Sequence, residues 1–318
     1  MNMNRTTVFI LYFFVLGLML TQTSIVLTAE VDNFTQRYDK LNDSTLAINS
    51  LINKHLLKAV NETNTSNNFC NKDILFKKIY KELAYGIFWS KIEYLIEEDP
   101  HIDKRKIDLD ASVYRGISFF QSIPIHIGKL DSIVKIGEHI VGIDKFAHFF
   151  AFGYDSYKVA FIDNKGVIEA LKKSEDTEKG IYGLLGTGVY SYGDLVANYQ
   201  GMLFWHEFVY DNSTFTQENS KTLIKCKDNK WVIVKNFDVR DYVDYGWDEG
   251  INCSKYWDKN FTGIVLSNIS ILEQENEDYN YMCPIDPWAC EFLLKKYASE
   301  GEYLISPYCL QEVVRTNN

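Results

Sequence analysis

The chain has 318 residues, 46% of them hydrophobic and 24% charged, so it can bury a sizeable core in one domain or two small ones, and disorder is excluded as its resting state. The net charge is −10 and there is no basic tract, which argues against nucleic acid or anionic lipid as a partner, because both need concentrated Lys and Arg.

In chain order, residues 1–29 open with one positive charge, Arg5, followed by an apolar run from Val8 to Leu20. As a helix that run covers about 20 Å, short of the roughly 30 Å hydrocarbon core, so a cleaved signal peptide fits better than an uncleaved membrane anchor. The expected cleavage point follows Ala29. No later apolar run reaches the roughly 18 residues of a membrane span. Any membrane association is therefore expected only through an uncleaved leader.

Residues 30–110 read as a helical pair. Phe34, Tyr38, Leu41, Ile48, Leu51, Ile52 and Leu56 recur at helical spacing up to Val60, and Ile74, Leu75, Ile79, Leu83, Phe88, Ile92 and Leu95 do so from Lys72 to Glu98. Residues 111–210 read as a helical core: an apolar region containing Pro124, an aromatic helix over Ile140 to Ile162, a charged break at Lys172 to Lys179, and a Gly-rich helix over Gly180 to Trp205. Gly183, Gly186, Gly193 and Gly201 would let the two long helices approach closely. Residues 211–318 read as a Cys-containing α+β region, with a hairpin from Thr222–Cys226 and Trp231–Lys235 and a short helix near Trp288 to Ala298. The predicted fold class is thus mainly α, a helical core with a small disulfide-bonded α+β carboxyl-terminal region.

Six cysteines, Cys70, Cys226, Cys253, Cys283, Cys290 and Cys309, are an even count that in an exported chain reads as disulfides of undetermined connectivity. Five of them follow residue 225, so the carboxyl-terminal part is the part expected to be stapled. None forms a C-x-x-C pair, which argues against a redox motif or zinc ribbon. Sequons at Asn33, Asn42, Asn61, Asn64, Asn212, Asn252, Asn260 and Asn268 would be glycosylated in a eukaryotic secretory pathway and left bare in a bacterial one.

The stretch richest in chemistry is Gly142-Ile143-Asp144-Lys145-Phe146-Ala147-His148, continuing to Asp155. On a regular helix Asp144, His148 and Asp155 fall within about 40° of one another. Asp194, Asn198 and Gly201 share a face within about 60° on the second helix. Polar stripes on apolar helices are costly unless paired, so the two are expected to meet in one polar pocket. There a carboxylate beside His148 could orient it as a general base, with Asp144, His148, Asp194 and Asn198 as the catalytic set. Asp144, His148 and Asp194 could instead hold a divalent metal, with Glu178 or His139 as a fourth ligand. His139, nine residues before His148, would lie on the opposite helical face. The competing structural account is that Asp144, Lys145, His148, Asp194 and Asn198 form a buried network that fixes helix register.

Other motifs fail. His206-Glu207 begins like a zinc-binding H-E-x-x-H helix, but Tyr210 stands at the second His. Gly183, Gly186 and Gly188 are not in dinucleotide-binding order, and Ser191 has no G-x-S-x-G context. Phe149, Phe150, Phe152, Tyr154 and Tyr157 read as core.

The block Asp144-Lys145-x-x-His148-Phe149, followed by Ser191-Tyr192-x-Asp194-Leu195-x-Ala197-Asn198-x-x-Gly201, resembles the pattern of exported bacterial proteins of the YfiM-type periplasmic lipoprotein family and, more distantly, of VanZ-like membrane proteins. The resemblance covers about residues 138 to 206. It implies a bacterial envelope location and a helical core but supplies no reaction. The lipoprotein cysteine and the multiple membrane spans of those groups are missing here. The sequence therefore predicts an exported, periplasmic or secreted, envelope-associated protein with an Asp/His/Asp/Asn site of metal-dependent or acid/base hydrolytic chemistry. The alternative is a non-catalytic binding or scaffold module whose polar network is structural and whose partners are envelope components or another protein.

Overall fold

The computed structural model describes residues 30–65, 69–86, 90–128, 130–180, 182–210 and 221–316; the leader over residues 1–29 and the sequon at Asn212 lie outside them. The protein is mainly α, with three disulfides concentrated towards the carboxyl terminus.

Helix α1 (Thr45–Thr65) begins later than its apolar spacing suggests, because residues 34–38 form turns in which Asp32 accepts the Phe34 and Thr35 N–H groups. The second predicted helix is two: α2 (Lys72–Leu83), capped by Asn71, and α3 (Lys91–Glu98), opened by a Ser90/Glu93 capping box. After the short β1 (Lys104–Arg105) and α4 (Ile123–Gly128), β2 (Ile133–Ile136) and β3 (His139–Gly142) pair antiparallel, so Ile140 to Gly142, expected to be helical, is strand.

The central run, α5, alternates α turns Asp144–Ala147 and Gly153–Tyr157 with π turns His148–Phe152 and Lys158–Ile162. Helix α6 (Val167–Lys179) occupies what reads as a charged break: Ala170, Leu171 and Ser174 are buried while its Lys and Glu residues mostly face water. Strand β4 (Val189–Tyr190) leads into α7 (Tyr192–Glu207), which starts ten or so residues later than predicted and is covered on nearly every side. Gly153 and Gly201 are where α5 and α7 touch. A Cβ on Gly201 would stand 1.9 Å from the Phe149 carbonyl oxygen, and one on Gly153 would stand 2.7 Å from Gly201 Cα.

Beyond β5 (Val209–Tyr210), β6 (Ile224–Lys227) and β7 (Lys230–Ile233) form the predicted hairpin, with Asp228 and Asn229 both at positive φ as a two-residue turn requires. Strand β8 (Lys255–Tyr256) pairs with β4, and α8 (Lys259–Glu275), α9 (Pro287–Lys296), α10 (Gly301–Leu304) and α11 (Pro307–Thr316) close the chain. The sequence reading missed α8, whose inward face is only Phe261, Val265 and Ile269.

One apolar cluster draws residues from Ile48 to Cys309, and a second holds the stretch around α4 together with α8. The disulfides are Cys70–Cys226, tying the loop before α2 to the hairpin, Cys253–Cys283 and Cys290–Cys309. All six cysteines are used, which suits an oxidising, extracytoplasmic setting. Among the described residues no helix is long and apolar enough to cross a membrane.

Candidate functional site

The two stripes meet, and a lysine sits between them. Asp144 opens α5, where its Oδ1 accepts the Lys145 backbone N–H at 2.9 Å. Lys145 is fully buried, and its Nζ lies 2.7 Å from Asp144 Oδ2, 2.6 Å from Asp194 Oδ1 and 2.6 Å from Glu249 Oε1. A side chain on Gly193 would put its Cβ 3.0 Å from Lys145 Cε, so the bare backbone there leaves room for the lysine.

Helix α7 is placed by Ser191, whose hydroxyl accepts the Asp194 N–H as N-cap and donates to Glu249 Oε1 at 2.7 Å. Glu249 Oε2 accepts the Ser254 hydroxyl at 2.9 Å. Asp194, in the first turn of α7, reaches the other way: its Oδ2 is 3.0 Å from His148 Nε2. His148 Nδ1 lies 3.1 Å from Asn198 Oδ1, and Phe152 stacks on the imidazole with ring centres 4.7 Å apart.

Burial and charge push the carboxyls in different directions. Burial raises the Asp144 pKa to about 6, against the pull of Lys145. Burial also works to raise Asp194, but His148 and then Lys145 overcome it and hold that carboxyl below the usual range. Burial works to lower Lys145, and Asp144, Asp194 and Glu249 more than reverse it, raising it well above an ordinary lysine. Glu178, whose Oε1 accepts the Ser191 N–H at 2.8 Å, is pushed well up by burial and then by Asp194; Glu30 is pushed well up by burial and then by Glu249.

The four predicted catalytic residues, Asp144, His148, Asp194 and Asn198, are therefore together and buried. Asp155 is not with them: it is half-exposed and pairs with Lys158 at 2.6 Å. The 100° spacing that placed it on the stripe fails because the intervening π turn carries an extra residue, about 100° of rotation. His139 is on β3, not on a helix, with its ring edge-on to Tyr245 at 4.6 Å, so it supplies no fourth ligand. Glu178 adjoins the site through Ser191.

Donor atoms of Asp144, His148 and Asp194 lie within 4.8 Å of one another, the spacing a metal ion needs. The same two carboxylates, however, already hold the Lys145 ammonium at 2.6 and 2.7 Å. A divalent ion bound by both would sit against that positive charge, which opposes metal binding while Lys145 stays protonated. Glu249, the third carboxylate, went unpredicted. Its only sequence signal is that a buried lysine needs more than one acid, and the Trp247-Asp248-Glu249-Gly250 stretch has no periodicity to place it.

Asn198 also borders a cleft. The cleft, of about 200 Å³, is lined by Tyr80, Phe152, Asp155, Ser174, Tyr182 and Asn198 among others, so Asn198 faces His148 on one side and the cleft on the other. The chain matches no protein-family model, no curated protein and no solved structure.

Proposed function

We propose that this is an exported, envelope-associated binding or scaffold protein, non-catalytic, in which the Asp144/Lys145/His148/Asp194/Asn198/Glu249 network locks α5 against α7. The observation that carries this reading is Lys145, a buried cation whose three ionic contacts are all with buried carboxylates. Such an arrangement fixes register, because sliding either helix by one residue would strand charge in the core. The bacterial location follows the resemblance of the D-K-x-x-H-F and S-Y-x-D-L-x-A-N motifs. It is supported by Asn33 and Asn252, sequon residues that are fully buried with their side-chain nitrogens donating inward, to Ile140 O and Asp248 and to Gly246 O and Leu304 O respectively. A glycan on either would displace these buried contacts, so peptide mass mapping of the exported chain is expected to find Asn33 and Asn252 unmodified.

Elemental analysis of the purified protein, with His148→Gln and Asp194→Asn beside the wild type, tests the network. The expected outcome is no stoichiometric zinc, manganese or iron, and a stability loss of about 1–3 kcal/mol for His148→Gln from the buried charge left behind. Stoichiometric metal that both substitutions abolish would overturn it. That result would favour the second reading, a metal-dependent or acid/base hydrolase, which is supported by the three clustered donors and by the cleft that ends on Asn198.

A further inference from the structure

Away from the network, one stretch has the wrong surface for a water-facing loop. Phe119, Phe120, Ile123 and Ile127 are exposed to 46%, 82%, 38% and 70%, four large apolar residues within nine positions. They form one patch: Phe119 meets Phe120 edge-on at 5.9 Å and His126 at 5.7 Å, and Ile123 and Ile127 lie one turn apart on α4. The patch rests on a firm base, since Ile117 and Ile125 are buried in a second apolar cluster with Val113, Tyr114, Phe261 and Val265.

Charge sorts with it. In a chain of net charge −10 there is no acidic residue between Asp110 and Asp131, while Arg115, His126 and Lys129 fall inside that interval. The low overall basicity that argues against an anionic partner for the whole molecule does not hold for this face. Both ends of the stretch are tied to residues 30–32: Glu30 O accepts the Asp131 N–H, Val31 O accepts the Tyr114 hydroxyl, and Asp32 accepts the Val113 N–H.

We propose that Phe119, Phe120, Ile123 and Ile127 form a membrane-docking wedge that inserts into the interfacial layer of a phospholipid bilayer. Large apolar side chains projecting from a rigid base, in a stretch that carries Arg115 and His126 and no acidic residue of its own, are what the headgroup–acyl boundary accepts. Aromatic rings are favoured at that depth.

The test is sedimentation of the exported protein with vesicles of phosphatidylethanolamine and phosphatidylglycerol, comparing wild type with Phe119→Ser/Phe120→Ser and with Ile127→Ser. Wild type should pellet with the vesicles, and the double variant should bind about tenfold more weakly or worse, with an unchanged Tm because the substituted rings are exposed. Ile127→Ser should weaken binding by a smaller factor. A wild-type chain that stays in the supernatant overturns the proposal. So does equal binding by the variants, which would assign the membrane contact to a retained leader. Self-association of the wild type that the double variant abolishes, without vesicle binding, would also overturn it and make the face a contact between copies.

Discussion

Two charge hubs in this protein are mirror images. In the helical pair one buried carboxylate, Glu82, gathers the His55 ring at 2.9 Å and two lysines that reach it from the surface, Lys58 and Lys91, each at 3.0 Å. At the centre one cation, Lys145, gathers three carboxylates at 2.6–2.7 Å. The distances are alike and Glu82 is buried too, yet the cations differ: Lys58 is 53% exposed and Lys91 30%, whereas Lys145 and its carboxylates are all buried. Water screens the first hub and replaces any partner that leaves. In the second a missing partner is not replaced, because the cost of an unpaired charge grows as the dielectric falls.

The largest expected effect follows directly. Lys145→Met should cost about 3–5 kcal/mol, read as the urea midpoint, because it strands three buried carboxylates. The loss should be smaller at about pH 5 than at about pH 8, since acids deprived of their cation take up protons. Asp144 refines the sign. Its folded pKa, raised by burial to about 6, lies above the ordinary 3.8, so its protonated form favours the fold and its contribution is lost as pH rises through that window. Asp144→Asn should accordingly gain on the wild type between about pH 4 and pH 6. If instead it loses ground there, Asp144 is not the group that burial holds protonated.

The two hubs were unequally legible in the sequence. Asp144, His148, Asp194 and Asn198 could be brought together because each pair is four residues apart on one helix, and that local geometry survives the π turn that follows. Asp155, seven residues further on, could not survive it. Lys145 was visible only as a network member, and its central place depends on Glu249, which reaches it across more than a hundred residues from a turn with no period. Likewise α6 looked like a break because a helix lying half in water needs few apolar residues, and α8 looked irregular for the same reason. Propensity and period describe an element's own face; what covers that face is set by contacts distant in sequence.

At the outer hub Glu82→Gln should cost about 1 kcal/mol, since both of its lysines keep contact with water. Burial alone would raise the Glu82 carboxyl, but hydrogen bonds from His55, Lys58 and Lys91 hold it down at about 2. Its folded pKa is therefore below the ordinary 4.5, and its contribution, fully present above that value, disappears as pH falls through 4.5 towards 2. Acid titration of the wild type against Glu82→Gln should converge in that window, opposite in sign to the Asp144 comparison. If both hubs titrated in the same direction, their contrast in burial would not be controlling them.

The smallest effect isolates screening. Lys58 approaches Glu82 and, at 4.0 Å, Glu62 with most of its chain in water, so Lys58→Ala should lower the Tm only slightly. The difference should fade as NaCl is raised to about 0.5 M, where charges at the surface no longer sense one another beyond a few ångströms. The Lys145→Met deficit should persist at the same salt, because ions cannot enter the core to screen it. A Lys58→Ala deficit that salt leaves untouched would mean that the alkyl chain of Lys58, lying along α1, stabilises by packing and not by charge.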